Sequence, residues 1–419
     1  MISRRTLLLQ SIAAGVGVAL NPGAAGAAGA MSAAGAGRAG AGPKKRLVCI
    51  FMRGGVDGLN VVVPYADDEY YAVRKEIAVP PPGKGTGSAL RLDARFGLNP
   101  GLSGLLSLYQ NGQLACVHAT GSPSLTRSHF EAQDNMESGT PLDSGTRDGW
   151  LNRYMQATSV GEVSLLRAVS LGQTLPRALY GSAPAIAIDS VEHFGLRAPE
   201  RFRERLQSGF RKMYESGKDE PGMAGLSALD TVELVRQKTS GRYVPENGAE
   251  YPRSGRALMS VARLLKADLG VEFAWVDVGG WDTHANQGAG EGQLANRLKD
   301  LGDSLAAFHR DMGSRMKDTV VVTMSEFGRT VRQNGTGGTD HGHGGVMLLM
   351  GGGVRGGRVH GKWPGLNEAD LHEGRDLAVT TDFRDVLGQV LNRHLKAPSL
   401  AAVFPNPNFS PTPGLRLFA

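Results

Sequence analysis

The stretch from Thr319 to Met350, TVVVTMSEFGRTVRQNGTGGTDHGHGGVMLLM, decides how the rest of the chain is read. It opens with an apolar, β-branched run (Val320, Val321, Val322) and closes with a second apolar run, Val346 to Met350. Each has the length of a buried strand. Between them lie a polar burst (Ser325, Glu326, Arg329), a Gly-rich segment, and the cluster Asp340, His341 and His343. Two buried strands with a polar loop between them belong to an open α/β sheet, where ligands gather outside the carboxyl ends of the strands. Read alone, DHGHGG is only a flexible polar turn, so the other strand ends have to decide.

Working outward, three further strand-like runs end in polar loops. Arg46 to Phe51 (RLVCIF) runs into Arg53-Gly54-Gly55-Val56-Asp57-Gly58, which is an ordinary glycine turn or a ligand aspartate at a place where the backbone can approach closely. Leu114 to Ala119 (LACVHA) leads through Ser124-Leu125-Thr126-Arg127-Ser128 into a helix predicted over Glu131 to Ser138. Thr126 and Ser128 there are plain N-capping hydroxyls or a nucleophile at the positive end of a helix, and Arg127 tips the balance toward an anion site. Val271 to Val278 (VEFAWVDV) exits through Gly279-Gly280-Trp281-Asp282-Thr283-His284. Asp282 and His284 are two apart and cannot share a helix face, but in a loop both can reach one point, as ligands of zinc or a similar ion do. By itself such a pair is as well explained by a hydrogen-bonded turn.

Helical spacing fills the intervals. Leu102, Leu105, Leu106 and Tyr109 follow Asn99-Pro100, Trp150 to Gln156 is short and amphipathic, and Leu294, Leu298, Leu301, Leu305 and Phe308 repeat at the helical period. Leu165 to Leu171 is strand-like, Thr381-Asp382-Phe383 caps a helix, and Arg358 to Leu366 reads as loop or minor hairpin. The order of strand, helix and strand predicts a mostly parallel central sheet flanked by helices. Residues 199–263, rich in Arg, Lys and Glu, read as a helical insertion within a single α/β domain spanning 42–419.

With 41% hydrophobic and 21% charged residues, the 419-residue chain has ordinary globular composition. Its net charge of +6 includes Arg4, Arg5 and Arg38. Without those three, the remainder is too weakly and too diffusely basic to argue for nucleic acid. Ser3-Arg4-Arg5-Thr6-Leu7-Leu8, an apolar run to Leu20 and an Ala/Gly tract make residues 1–41 a leader that resembles a bacterial twin-arginine export signal. No later window is long and apolar enough to span a membrane. The mature protein is therefore expected in the periplasm or outside the cell, with the twin-arginine export machinery as a partner. Cys49 and Cys116 each sit in a strand-like apolar run and are expected to be free core thiols.

The order of RGGVDGLNVVVPY, SPSLTRSHFEAQD, GGWDTHANQ, SEFGRT and DHGHGG behind such a leader resembles the exported bacterial proteins of the DUF1501 family, which are grouped by similarity with alkaline phosphatases and sulfatases. The resemblance implies an alkaline-phosphatase-like three-layer sandwich and hydrolysis of a small anionic ester of phosphate or sulfate. It further implies one or two divalent ions, zinc first, held by Asp57, Asp282, His284, Glu326 and His341 or His343. Ser128 or Thr126 would be the nucleophile, with Arg127 steering the anion. The alternative is a catalytically inactive binding or assembly protein on the same fold. The sequence departs from the superfamily's pattern where Glu326-Phe327 replaces Asp-His and where Asp282 and His284 are two apart rather than four. This puts the second ion in question.

Overall fold

The computed structural model of the protein describes residues 31–32, 44–140, 146–160, 163–192, 194–195, 199–216, 220–405, 412 and 414–418. Arg4, Arg5 and most of the leader lie outside them. A nine-stranded sheet forms the middle layer. Its strands are β1 (Arg46–Arg53), β2 (Leu114–Gly121), β3 (Ala168–Leu171), β4 (Ile186–Ile188), β5 (Phe273–Gly279), β6 (Thr319–Met324), β7 (Gly345–Gly351), β8 (Arg358–His360) and β9 (Thr381–Asp382). They lie side by side in the order β8, β2, β7, β6, β1, β5, β3, β4, and β9 adds to β2. All neighbouring pairs are parallel except β6 with β7 and β7 with β2.

The strands are apolar on both faces because each face carries a helical layer. In β1, Val48, Ile50 and Met52 enter one core, together with Val261 and Leu265 of α5 (Arg256–Lys266) and Leu298 and Leu305 of α6 (Gln293–Met312). Leu47, Cys49 and Phe51 alternate into the opposite core. There they meet Leu151 and Tyr154 of α2 (Trp150–Thr158) and Val386 and Leu387 of α7 (Phe383–Gln389), whose N-cap Asp382 accepts a hydrogen bond from the Arg384 N–H. The two-residue period of one strand thus builds a three-layer sandwich. Within the 199–263 stretch, α3 (Glu200–Glu215) packs with α4 (Glu220–Lys238), whereas α5 belongs to the core layer.

One local expectation changes. Arg358–His360 is not a loop but an edge strand parallel to β2. β7 runs against its neighbours, so the loop that leaves the carboxyl end of β6 re-enters the sheet at that same edge. This antiparallel strand is what brings the Asp340 to His343 cluster to the place where β1, β2 and β5 end. Cys49 and Cys116 are buried and free, on strands separated by β6 and β7, and burial pushes both thiols up. No helix among the described residues is long and apolar enough to cross a membrane.

His118 in β2 links the sheet to the loops above it. Its Nδ1 accepts from the Ala119 N–H (2.9 Å) and its Nε2–H donates to the Val62 carbonyl (2.9 Å), which fixes a neutral tautomer. Burial pushes its pKa down to about 4, against a smaller upward pull from Val62. The folded value lies below the unfolded one, so this contribution to stability is complete above about pH 6.5 and is lost as pH falls toward 4, by about 3 kcal/mol in total. Urea midpoints at pH 7 and pH 4.5 are expected to converge markedly in His118→Gln; an unchanged acid slope would refute the assignment.

Candidate metal centre

Three imidazoles and one carboxylate meet at the carboxyl edge of the sheet. Asp282 and His284 come from the exit of β5, His341 from the loop entering β7, and His129 from the first residue of α1 (His129–Ser138), just after β2. One ligand atom from each of His129, Asp282 and His341 lies within 4.8 Å of the others. His129 Nε2 is 3.5 Å from Asp282 Oδ2, and His341 Nε2 is 3.3 Å from Asp282 Oδ1. His284 joins them, with Nε2 at 2.9 Å from Asp282 Oδ1 and 3.0 Å from His341 Nε2. Donors around a tetrahedral zinc with bonds near 2.0 to 2.1 Å are separated by about 3.3 Å, so these spacings suit a common ion.

The far nitrogen of each ring fixes its tautomer. His129 Nδ1 is 2.8 Å from Glu326 Oε1, His284 Nδ1 is 3.1 Å from Asp340 Oδ1, and His341 Nδ1 is 2.8 Å from the Arg127 carbonyl oxygen. A carbonyl or an ionised carboxylate only accepts, so every Nδ1–H donates outward, and in a neutral ring the Nε2 then carries the lone pair. Outward partners of this kind orient metal-ligating histidines. Two bare Nε2 atoms 3.0 Å apart repel each other unless a cation or a proton sits between them.

The charges agree with this assignment. Burial alone would raise the Glu326 carboxyl, but hydrogen bonds from its own backbone, Gln133, His129 and the Gly54 N–H outweigh it and leave the group below the ordinary carboxylate range. Asp282 and Asp340 are also held low, against burial, by Arg329 and by Asn334 with His284 respectively. Burial keeps His341 below the usual histidine value despite the opposing Arg127 carbonyl, and a neutral ring is what a metal requires. Arg329 is buried; it donates to Asp282 Oδ1 and to the carbonyls of Gly54, Gly55, Trp281 and Thr339. It thereby ties the β1 and β5 exits to the loop entering β7. Gly54, at φ +125, is required there: a Cβ would lie 2.6 Å from the Asp282 nitrogen.

The sequence-predicted residues divide between this centre and its surroundings. Asp282, His284 and His341 converge. Glu326 lies behind His129, its Oε1 taken by His129, by the Gly54 N–H at 2.8 Å and by Gln133 at 3.0 Å. Asp57 also lies apart from the three converging residues. Its two oxygens pair with Arg74 at 2.6 and 3.0 Å, and Gln287 Nε2 donates to Oδ2 at 2.7 Å, all inside the protein. His343 turns away to Asp376 Oδ2 at 2.8 Å. Thr126 Oγ1 donates to Glu131 Oε2 at 2.6 Å. The guanidinium of Arg127 is held by Asp376 and Glu373 at 2.7 and 2.8 Å. Ser128 is the N-cap of α1 and makes no capping hydrogen bond with its side chain. Sequence reasoning passed over His129, although it directly follows Ser128 at the helix start; attention to the hydroxyls hid the imidazole.

Comparison with known proteins gives the chain a family. The family described as "Protein of unknown function (DUF1501)" matches residues 108–402. No protein of curated function matches the sequence. Among solved structures, the chain is similar to the alkaline phosphatase from the Antarctic bacterium TAB5, with 10% identity and a TM-score of 0.30, over 73% of this chain and 91% of that one. It is also similar to the PsFucS1 sulfatase from Pseudoalteromonas sp. (13%, TM-score 0.35, 84% and 67%). A third is the phosphonate monoester hydrolase of Agrobacterium radiobacter (11%, TM-score 0.31, 87% and 78%).

Proposed function

The chain belongs to the DUF1501 family, and from that premise we propose that it is an exported, metal-dependent hydrolase of phosphate or sulfate esters. The observation that carries the reading is the set of three Nε2 lone pairs turned toward one carboxylate, each backed by an acceptor on Nδ1. An ion held by His129, Asp282 and His341 would act as a Lewis acid toward a bound ester oxygen. Arg329 keeps Asp282 ionised and in place. The Ser128 hydroxyl, uncommitted as a cap at the positive end of α1, is the nucleophile. His284 is the more exposed of the two loop imidazoles and has the Asp340 carboxylate behind it, so its bare Nε2 is suited to take the proton of the attacking Ser128 hydroxyl and then pass it to the leaving alcohol. The twin-arginine-like leader, Ser3 to Leu20, supports a site of action outside the cytoplasm.

One observation favours a second reading. If His284 binds the ion together with the other three donors, a tetrahedral zinc is fully coordinated, which is the arrangement of structural sites; the protein is then a binding or assembly component. His284→Ala separates the two. As a hydrolase, the variant is expected to keep its zinc while turnover of an aryl phosphate or aryl sulfate drops by about 10²-fold to 10⁴-fold. Loss of the ion, with no turnover in the wild type, would establish the structural role. Ser128→Ala is expected to abolish turnover with the metal retained, and full activity in that variant would remove Ser128 from its role.

A further inference from the structure

The helical insertion carries an apolar face that the fold leaves uncovered. In α5 the apolar stripe enters the core beneath the sheet. In α3 it does not. Among the described residues Tyr214 is the buried side chain of this helix, and its ring lies against Gly225 of α4, where a Cβ would come within 2.6 Å of it. Arg211 pairs with Asp230, also on α4. These contacts fix the side of α3 that faces its neighbour. Phe202, Leu206 and Met213 lie outside it, 44%, 43% and 42% exposed, and with the half-buried Phe210 they line an open groove.

Charge is sorted around this stripe. At about 100° per residue, Phe202, Leu206 and Met213 fall within about 40° of arc along the length of α3. Arg201, Arg205 and Lys212 border them on one side and Arg203 on the other, whereas Glu204 and Glu215 lie on the far side of the helix. Arg201 already folds along the apolar edge, its guanidinium carbon 4.8 Å from the centre of the Phe202 ring. An apolar stripe fringed by basic groups, with acids turned away, complements a surface that is anionic at the top and apolar just beneath. A second copy of the chain fits less well, because the stripe is basic on both borders and like charges would meet across the contact.

We propose that α3 is a membrane-docking helix that lies flat on a bilayer of anionic phospholipid, with Phe202, Leu206, Phe210 and Met213 among the upper acyl chains and Arg201, Arg205 and Lys212 at the phosphates. The basic side chains reach the headgroups while their methylenes cover the border of the stripe. No helix among the described residues is long and apolar enough to cross a membrane, so the attachment is peripheral. Its strength comes from two sources together, the apolar area inserted and the attraction of the fringe to anionic lipid. The α3–α4 hairpin is then the foot on which the α/β domain stands at a lipid surface. This docking does not rest on the hydrolase reading, because no residue of α3 belongs to the metal centre.

The test is flotation of the full chain with vesicles of mixed phosphatidylglycerol and phosphatidylcholine, beside vesicles of phosphatidylcholine alone. The leader is common to wild type and variants, so differences between them report α3. The wild type is expected to bind the anionic vesicles about tenfold or more tightly than the neutral ones. Leu206→Ser with Met213→Ser changes two exposed side chains and leaves the core untouched; it should weaken that binding by about tenfold or more. Arg205→Gln with Lys212→Gln should weaken it similarly and narrow the preference for anionic lipid. In Phe202→Trp the added indole should shift its emission to the blue when anionic vesicles are added, a local reading of insertion in a chain with its fold intact. Equal wild-type binding to both vesicles, undiminished binding in Leu206→Ser with Met213→Ser, or an unshifted emission would overturn the proposal. So would a concentration-dependent dimer that the same two serines dissolve, which would give the face to a second copy.

Discussion

Asp282→Asn is expected to empty the metal centre. The aspartate is the hub of that centre, within 3.5 Å of the Nε2 atoms of His129, His284 and His341. The amide has nearly the same shape but no charge, and its nitrogen has no lone pair for a metal. Even loss of an outer-shell partner lowers metal affinity by 10-fold to 100-fold, so loss of this ligand should exceed about 100-fold. Ester hydrolysis should fall with it to the uncatalysed level. Zinc titration of the stripped variant, followed by an aryl phosphate assay at saturating zinc, measures both effects. Wild-type affinity in Asp282→Asn would mean that the imidazoles converge for some other reason, such as sharing a proton.

Asp57→Asn should have the largest effect on stability and little on the metal. Asp57 and Arg74 are 1% and 0% exposed, and the guanidinium bridges both carboxylate oxygens while also donating to Asn60 Oδ1 and to the carbonyls of Thr330 and Val331. Removing one charge strands the other in the interior, at a cost of about 3 to 5 kcal/mol. Denaturant midpoints would show that loss, and zinc affinity at the metal centre should remain within threefold of wild type. The two measurements discriminate sharply: Asp57 as a metal ligand predicts the reverse pattern, weak binding with modest destabilisation. Replacing both partners by apolar residues of similar volume should recover much of the stability, since the pair's value lies chiefly in not being broken.

The layers were legible in the chain because their signals are local. Val320 to Val322, Leu114 to Ala119 and the Leu294 to Phe308 spacing each announce a buried strand or helix without help from distant residues. The loops were legible as polar strand ends, and Asp282, His284 and His341 do meet there. Which polar group does what was not legible, because it depends on partners far away in sequence. Asp57 stands against Arg74, and Glu326 against His129, and neither partner can be read from the motif that holds the carboxylate. An imidazole from a different element, His129, stands beside Glu326 and Phe327, its ring 5.0 Å from that of Phe327. That meeting of two elements leaves no trace in either motif alone.

The strand order also sets a timetable. β1 is made first, yet the strands on either side of it, β5 and β6, come from the second half of the chain. A ribosome that has delivered only the first 250 or so residues has released the middle of the sheet with both edges bare, a state exposed to mispairing. Such distant pairing folds slowly. The same delay applies to the cluster at the sheet edge, since Asp282, His284 and His341 all emerge late. The cluster is complete only when synthesis is nearly over. Its assembly is a property of the finished polypeptide, and truncated products should be the preferred clients of chaperones.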